Sequence, residues 1–272
     1  MLWRHHTPFC GRGYDAGREG TGRRSVKSIA ITVLVLNMHA GMDATLRDNL
    51  GRVAALIRDT RADVVLLQEV DRHTRRSRGV DQPAVLERLT GLRSLFGRTL
   101  DYDGGTYGIA VLARGDVTGE LVPLRVDPPQ ARAGGSTEPR GVLVSTVVLK
   151  NGATIRVLNT HLDASREEHY RLQEVDRLLA SIADLPQGGS LIAGGDFNAT
   201  PDSEAYARLA RAGLRDAWQA CGKGGGLTYP TAGPVKRIDY LFMGEGVDCA
   251  AAEIPSFDGS DHRPLLVRLR VR

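Results

Sequence analysis

Four apolar runs, each closing on a cluster of polar residues, constrain this chain more than any other feature. Residues 29–37 read IAITVLVLN, 63–69 DVVLLQE, 153–161 ATIRVLNTH and 190–198 SLIAGGDFN. A short, near-continuous apolar run of this length predicts a strand buried on both faces. The runs recur in two halves: VLVLN matches VLNTH, and VVLLQE matches LIAGGDFN. Packing alone gives a buried strand no reason to end in Asn, Gln, Glu, His or Asp. In layered α/β folds the carboxyl edge of such strands is where sites are built.

The segments between these runs complete an α/β pattern. Leu46, Leu50, Val53, Ala54 and Ile57 recur at helical spacing, and a short helix is expected around Pro83–Thr90 before LRSLFGRTL and YGIAVLAR (107–114). Residues 127–139, DPPQARAGGSTEP, have loop composition. GVLVSTVVLK (141–150) and ATIRVLNTH predict a hairpin turning at Asn151-Gly152. A helix with Leu172, Val175, Leu178, Leu179 and Ile182 on one face follows, then a second helix in TPDSEAYARLARAG. RIDYLF, VDCAAAEI and PLLVRLRV close the chain as strands. No boundary interrupts 28–272, so one catalytic domain is expected there, preceded by a disordered, basic, Gly/Arg-rich tail at 1–27.

Charge narrows the partners. Of 272 residues a quarter are charged and 42% apolar, with a formal net charge of +4. Residues 1–27 carry six basic residues (Arg4, Arg12, Arg18, Arg23, Arg24, Lys27) against Asp15 and Glu19, so the whole excess sits in the tail and residues 28–272 are neutral. A neutral body disfavours a nucleic-acid partner, which needs a basic face. No run reaches the ~20 apolar residues of a membrane span. The scattered Leu2, Trp3 and Phe9 do not form the core of a secretory signal, and a cytoplasmic location is the expectation. Cys10, Cys221 and Cys249 lie far apart without CxxC spacing and are expected as isolated thiols.

The polar strand ends define the chemistry. Glu69, Asp196 and Asp261 are three carboxylates at or near strand ends, and buried carboxylates need a shared counter-charge. A hard divalent cation, magnesium or manganese, suits oxygen ligands of this kind, with Asn37, Gln68 and Asn198 adding amide oxygens. His262 follows Asp261, stands two residues before Pro264, and has a candidate orienter in Asp239 of RIDYLF. A histidine held by a carboxylate suits proton abstraction from water. His161 closes another strand, where it could donate to a phosphoryl oxygen. His39, His73 and His169 lie outside any such constellation and are read as ordinary histidines. No Ser or Cys stands in a nucleophile elbow, so water is the expected attacker.

LNMH (36–39), LLQEVD (66–71), YGIAVLAR (107–114), EPRG (138–141), LNTHLD (158–163), GGDFNATPDS (194–203), RIDYLF (237–242) and SDHRPL (260–265) together resemble the endonuclease/exonuclease/phosphatase family. The form of QEVDR and GVDQ (79–82) is similar to its small bacterial branch. The resemblance implies a four-layer α/β sandwich with two facing mixed sheets flanked by helices. It also implies a magnesium or manganese cofactor on Glu69, Asn37 and Asp261. Asp196 and Asn198 would place water and phosphate, His161 would stabilise developing charge, and Asp239 with His262 would form the base pair. Asn198, His161, Arg140 and Tyr107 would contact the substrate. The implied activity is hydrolysis of a phosphoester, small or lipid-linked; a nuclease and a non-catalytic phosphate-binding module are the alternatives. Arg72, Arg75, Arg76 and Arg78 suit either a clamp on a second phosphate or a solvated basic loop.

Overall fold

The computed structural model describes residues 28–127 and 138–272. The tail expected at 1–27 and most of the loop expected at 127–139 lie outside these residues. In chain order the elements are β1 (Ile29–Asn37), α1 (Leu50–Asp59), β2 (Val64–Arg72), α2 (Gln82–Thr90), β3 (Arg93–Tyr102), β4 (Gly105–Ala113) and β5 (Gly115–Pro123). They continue with β6 (Gly141–Leu149), β7 (Thr154–His161), α3 (His169–Ala183), β8 (Ser190–Asp196), α4 (Glu204–Arg211), β9 (Arg215–Asp216), α5 (Ala217–Cys221), β10 (Asp239–Met243), β11 (Val247–Glu253) and β12 (Leu265–Val271). They build two six-stranded sheets, ordered β11-β12-β1-β2-β4-β3 and β5-β6-β7-β8-β10-β9. Each sheet has one parallel pair at its centre, β1 with β2 and β7 with β8, flanked by antiparallel neighbours.

The continuous apolar runs follow from burial on both faces. In β1, Val33 and Val35 join the layer between the sheets, while Leu34 and Leu36 pack with Val53, Ala54 and Ile57 of α1 and Leu86 of α2. In the second sheet, Val157 and Ile192 face the inter-sheet layer, and Leu158 and Ala193 pack with Val175, Leu178 and Leu209 of the outer helices. Each fully buried Val or Leu contributes about 1.5–3 kcal/mol. The product is the expected four-layer α/β sandwich of helices, sheet, sheet and helices. None of the helices among the described residues is long and apolar enough to cross a membrane.

Three details depart from the sequence reading. First, α1 begins at Leu50, and Leu46 is exposed in a turn at φ 62°, where the Asp43 carboxylate accepts hydrogen bonds from the backbone of Thr45 and Arg47. Second, β5, β9 and α5 had no signal in the sequence: β5 is a half-exposed edge strand without an apolar run, and the other two span two and five residues. Third, Cys221 and Cys249 are not isolated thiols. A disulfide joins them across α5 and β11, with Cα atoms 5.9 Å apart, and their 28-residue separation concealed the pairing.

A buried amide, that of Asn159, bridges the two sheets. Between β2 and β4 the register shifts after the Leu67–Ala110 pair, so that Gln68 and Glu69 form a bulge. Asn159 of β7 reaches across and donates from Nδ2 to the carbonyls of Leu67 (2.9 Å) and Ala110 (2.8 Å), while its Oδ1 accepts from Gln68 Nε2 at 2.7 Å. All of its side-chain bonds are therefore to the opposite sheet. Asn159→Leu keeps the volume but removes three buried hydrogen bonds and leaves the buried Gln68 amide without its partner. It is expected to lower unfolding free energy by about 2–4 kcal/mol, measured by urea denaturation; a change near zero would discount the clasp.

Candidate active site

The strand ends of both sheets converge on one cleft of about 1080 Å³. β1 and β2 deliver Asn37 and Glu69 from the first sheet. β7 and β8 deliver His161 and Asp196 from the second, where the two residues are register partners. Asp239 opens β10 directly opposite Asp196, and Asp261 and His262 lie in the loop before β12.

Local backbone conformation aims these groups. Glu69 sits in the β2 bulge at φ 55°, an uncommon conformation for a residue with a side chain, which turns its carboxylate out of the strand alternation and into the cleft. Asn198 also adopts a left-handed conformation, at φ 48°, with its N–H donating to Asp196 Oδ1 at 2.9 Å and its Nδ2 to the Leu162 carbonyl at 3.0 Å. The glycine before Asp196 is required: Gly195 has φ 142°, and a Cβ there would lie 1.9 Å from the Thr160 carbonyl oxygen of β7.

Asn37 is the hub of the carboxylates. Its Nδ2 donates to Glu69 Oε1 (2.9 Å) and Asp196 Oδ2 (3.1 Å), and its Oδ1 accepts from the His39 N–H at 3.1 Å. Asn37 thus presents N–H, not oxygen, to the carboxylates, and oxygen ligation by it requires the amide to rotate. Asp196 Oδ2 lies 3.6 Å from His161 Nε2 and 3.7 Å from His262 Nε2. His262 Nδ1 meets Asp239 Oδ2 at 2.9 Å, which fixes the ring with Nε2 toward Asp196. Ser260 holds this loop by donating to the Asn37 carbonyl (2.7 Å) and accepting from the His262 N–H (3.2 Å).

Proton affinities follow from this crowding. Burial and the neighbouring Asp239 push the Asp196 carboxyl up to about 7. Burial opposes charge on His262, but Asp239 and Asp196 outweigh it and raise the imidazole to about 10. His161 moves the other way: burial, with Arg140 and His262 nearby, lowers it well below the usual histidine range, so its ring is neutral. Beside Glu69, Arg140 donates to Glu138 Oε1 at 2.8 Å, and burial followed by the charges of Glu69 and Glu138 raises the Tyr107 hydroxyl well above its ordinary value.

The donor set fits a divalent cation. Asp196, Asp239 and His262 each offer a ligand atom within 4.8 Å of one another, and the buried Asp239 Oδ1 has no hydrogen-bond partner. Glu69 and Asp261 line the same cleft and offer carboxylate oxygens that would hold a cation while leaving the His262 imidazole free. A cation among these carboxylates would relieve their repulsion and lower the proton affinity of His262.

The structure brings Asn37, Glu69, Tyr107, Arg140, His161, Asp196, Asn198, Asp239, Asp261 and His262 to or beside this cleft. His39, read as an ordinary histidine, lies at its rim with Nδ1 3.8 Å from Asp261 Oδ1. Ser260, Glu138 and Tyr229 were not singled out from the sequence; the Tyr229 ring packs 4.7 Å from that of His262. Ser260 and Glu138 stand inside SDHRPL and EPRG, whereas nothing around Tyr229 signals its position. The arginines of 72–78 disperse: Arg72 pairs with Asp81, Arg75 with Asp103 and Arg76 with Asp71, and Arg76 alone of the four lines the cleft.

Comparison with known proteins agrees with this fold. YbhP of Escherichia coli K12, an uncharacterized protein, is 26% identical over 258 residues, covering 90% of this chain and 98% of its own. An endonuclease/exonuclease/phosphatase from Beutenbergia cavernae superposes with a TM-score of 0.73 at 23% identity, over 89% of this chain and 72% of that one. The mannosyl-6-phosphatase Bt3783 of Bacteroides thetaiotaomicron superposes with a TM-score of 0.72 at 17% identity, over 88% and 99%. The model of the Endonuclease/Exonuclease/phosphatase family matches residues 34–262, and the chain belongs to that family.

Proposed function

We propose that this protein is a divalent-metal-dependent hydrolase of a small or lipid-linked phosphoester. The observation that carries this reading is the His262–Asp239 pair, 2.9 Å apart, with its free imidazole nitrogen directed at Asp196 across the same cleft that holds Glu69. Glu69 and Asp261, with Asn37 after rotation of its amide, would hold magnesium or manganese. The cation would supply neutralisation of phosphoryl charge when bound.

The protein's own residues account for the remaining chemistry. Asp239 keeps the His262 Nδ1–H in place, leaving Nε2 to take the proton from an attacking water. Asp196, 3.7 Å from that nitrogen, orients the same water. As the water oxygen bonds to phosphorus, the bond to the leaving oxygen breaks in line with it. Neutral His161 donates from Nε2 to a phosphoryl oxygen without adding a fixed charge, and Asn198, Tyr107 and Arg140 contact the substrate.

Charge favours a small substrate over a polynucleotide. The cleft is lined by five basic residues (Arg76, Arg140, Arg166, Arg171, Lys236) and six acidic ones (Glu69, Glu138, Glu168, Asp196, Asp202, Asp261), so it is not a basic groove. Polynucleotide binding draws its affinity from neutralising successive phosphates.

His262→Ala and Asp196→Asn are each expected to reduce kcat about 10²–10⁴-fold on a p-nitrophenyl phosphate ester. EDTA should abolish wild-type turnover, and magnesium or manganese should restore it. Near-wild-type rates in either variant would overturn the assignments. Faster nicking of supercoiled plasmid than hydrolysis of small esters would make it a nuclease; phosphate binding without turnover of any ester would make it a binding module. Ser260→Ala removes the support of the His262 loop without touching substrate. It is expected to slow turnover about tenfold with little change in KM, through misplacement of the imidazole.

A further inference from the structure

Arg76 is held more rigidly than a solvated arginine, and the proposed hydrolysis does not use it. Its guanidinium forks onto Asp71, Nε to Oδ2 and Nη2 to Oδ1, both at 2.7 Å. Asp71 is wholly buried, and its Oδ2 also accepts from Thr74 Oγ1 at 2.7 Å. The Asp71 N–H donates to Gln82 Oε1 (2.8 Å), and Gln82 Nε2 donates to the Ala40 carbonyl (2.6 Å). The guanidinium carbon stands 4.7 Å from the Tyr102 ring centre and 5.3 Å from that of Tyr107. QEVDR and GVDQ thus build a platform whose product is one oriented guanidinium in the active-site cleft. A buried ion pair is a weak source of stability, so folding alone does not account for it.

We propose that Arg76, with Tyr102 beside it, recognises the alcohol side of the phosphoester, and that this side is an uncharged, hydroxyl-bearing ring such as a sugar or cyclitol. The inference rests on the hydrolase reading above. Nε–H and one Nη2–H are taken by Asp71, so Nη1 and the second Nη2–H are left to donate to a ligand. Asp71 cancels the charge of Arg76, and Glu69 and Glu138 act on the adjoining Tyr107. A second phosphate would meet little net attraction there, whereas a hydroxyl needs only a donor. Half-exposed Tyr102, also lining the cleft, offers a flat apolar face on which the C–H side of such a ring can lie.

The test compares wild type, Arg76→Lys and the double variant Asp71→Asn/Arg76→Gln, which leaves no buried charge unpaired if the single variant fails to fold. Substrates are p-nitrophenyl phosphate, a hexose 6-phosphate, a hexose bisphosphate, and inositol phosphate either free or as phosphatidylinositol vesicles; calorimetry measures hexose 6-phosphate binding separately. The variants should raise KM for the hexose monophosphate about 10–100-fold, the effect of losing a hydrogen bond to a charged donor, mainly without loss of kcat. The fall in kcat/KM with p-nitrophenyl phosphate should be at least several-fold smaller. The free and vesicle arms identify whether the ring belongs to a soluble ester or a lipid headgroup. Equal losses on both monoesters, or a preference for the bisphosphate that the double variant abolishes, overturns the inference. If no ester is hydrolysed but hexose phosphate binds in an Arg76-dependent way, the hydrolase reading fails and the recognition role stands; absence of both turnover and binding overturns both.

Discussion

The Asn159 side chain, bonded entirely to the opposite sheet, is the interaction on which the cleft depends. It accepts from Gln68 and donates to the last carbonyl pair before the β2 bulge. The bulge is what turns Glu69 out of the strand alternation, so the same three bonds that hold the sheets together also stabilise the backbone that presents Glu69. A bulge leaves ladder groups unpaired, and in a dry inter-sheet layer such groups must be satisfied by another part of the chain. Asn159 adds its bonds beside the bulge from the strand that ends in His161, which couples the position of one half of the site to the other.

Above that clasp, the site is organised by repulsion as much as by attraction. Asp196 and Asp239 are buried register partners, and His262 is the cationic group placed between them. Asn37 moderates the contact of Asp196 with Glu69 by offering both an N–H. This concentration of negative charge raises His262 far above neutral pH, where an imidazole is a poor acceptor of protons. A cation in the cleft would offset the carboxylates that hold the proton on His262.

The proposed recognition elements lie on the side of the cleft where β2 continues past Glu69. There Asp71, Gln82 and Arg76 form a chain of buried or half-buried polar groups reaching back to the Ala40 loop. On the proposed reading, the phosphate and the group attached to it would be read by consecutive parts of one strand and its following loop.

The apolar runs marked the four central strands, because a strand buried on both faces leaves a short continuous signature, and the Val and Ile content of these runs favours strand over helix. Their polar residues marked the candidate site, since Asn37, His161 and Asp196 at the strand ends and Glu69 in the β2 bulge have no packing reason to be there. The edge strand β5, half-exposed, carried no comparable signature. Tertiary structure decided what depends on encounters between distant segments: the Cys221–Cys249 pairing, the approach of Tyr229 to His262, the place of His39 beside Asp261, and which arginine of 72–78 enters the cleft. In that last case the four side chains are chemically alike in the sequence. Their fates differ because Asp81, Asp103 and Asp71 stand at different places around the fold, and opposite charges pair with whatever the folded backbone brings within reach.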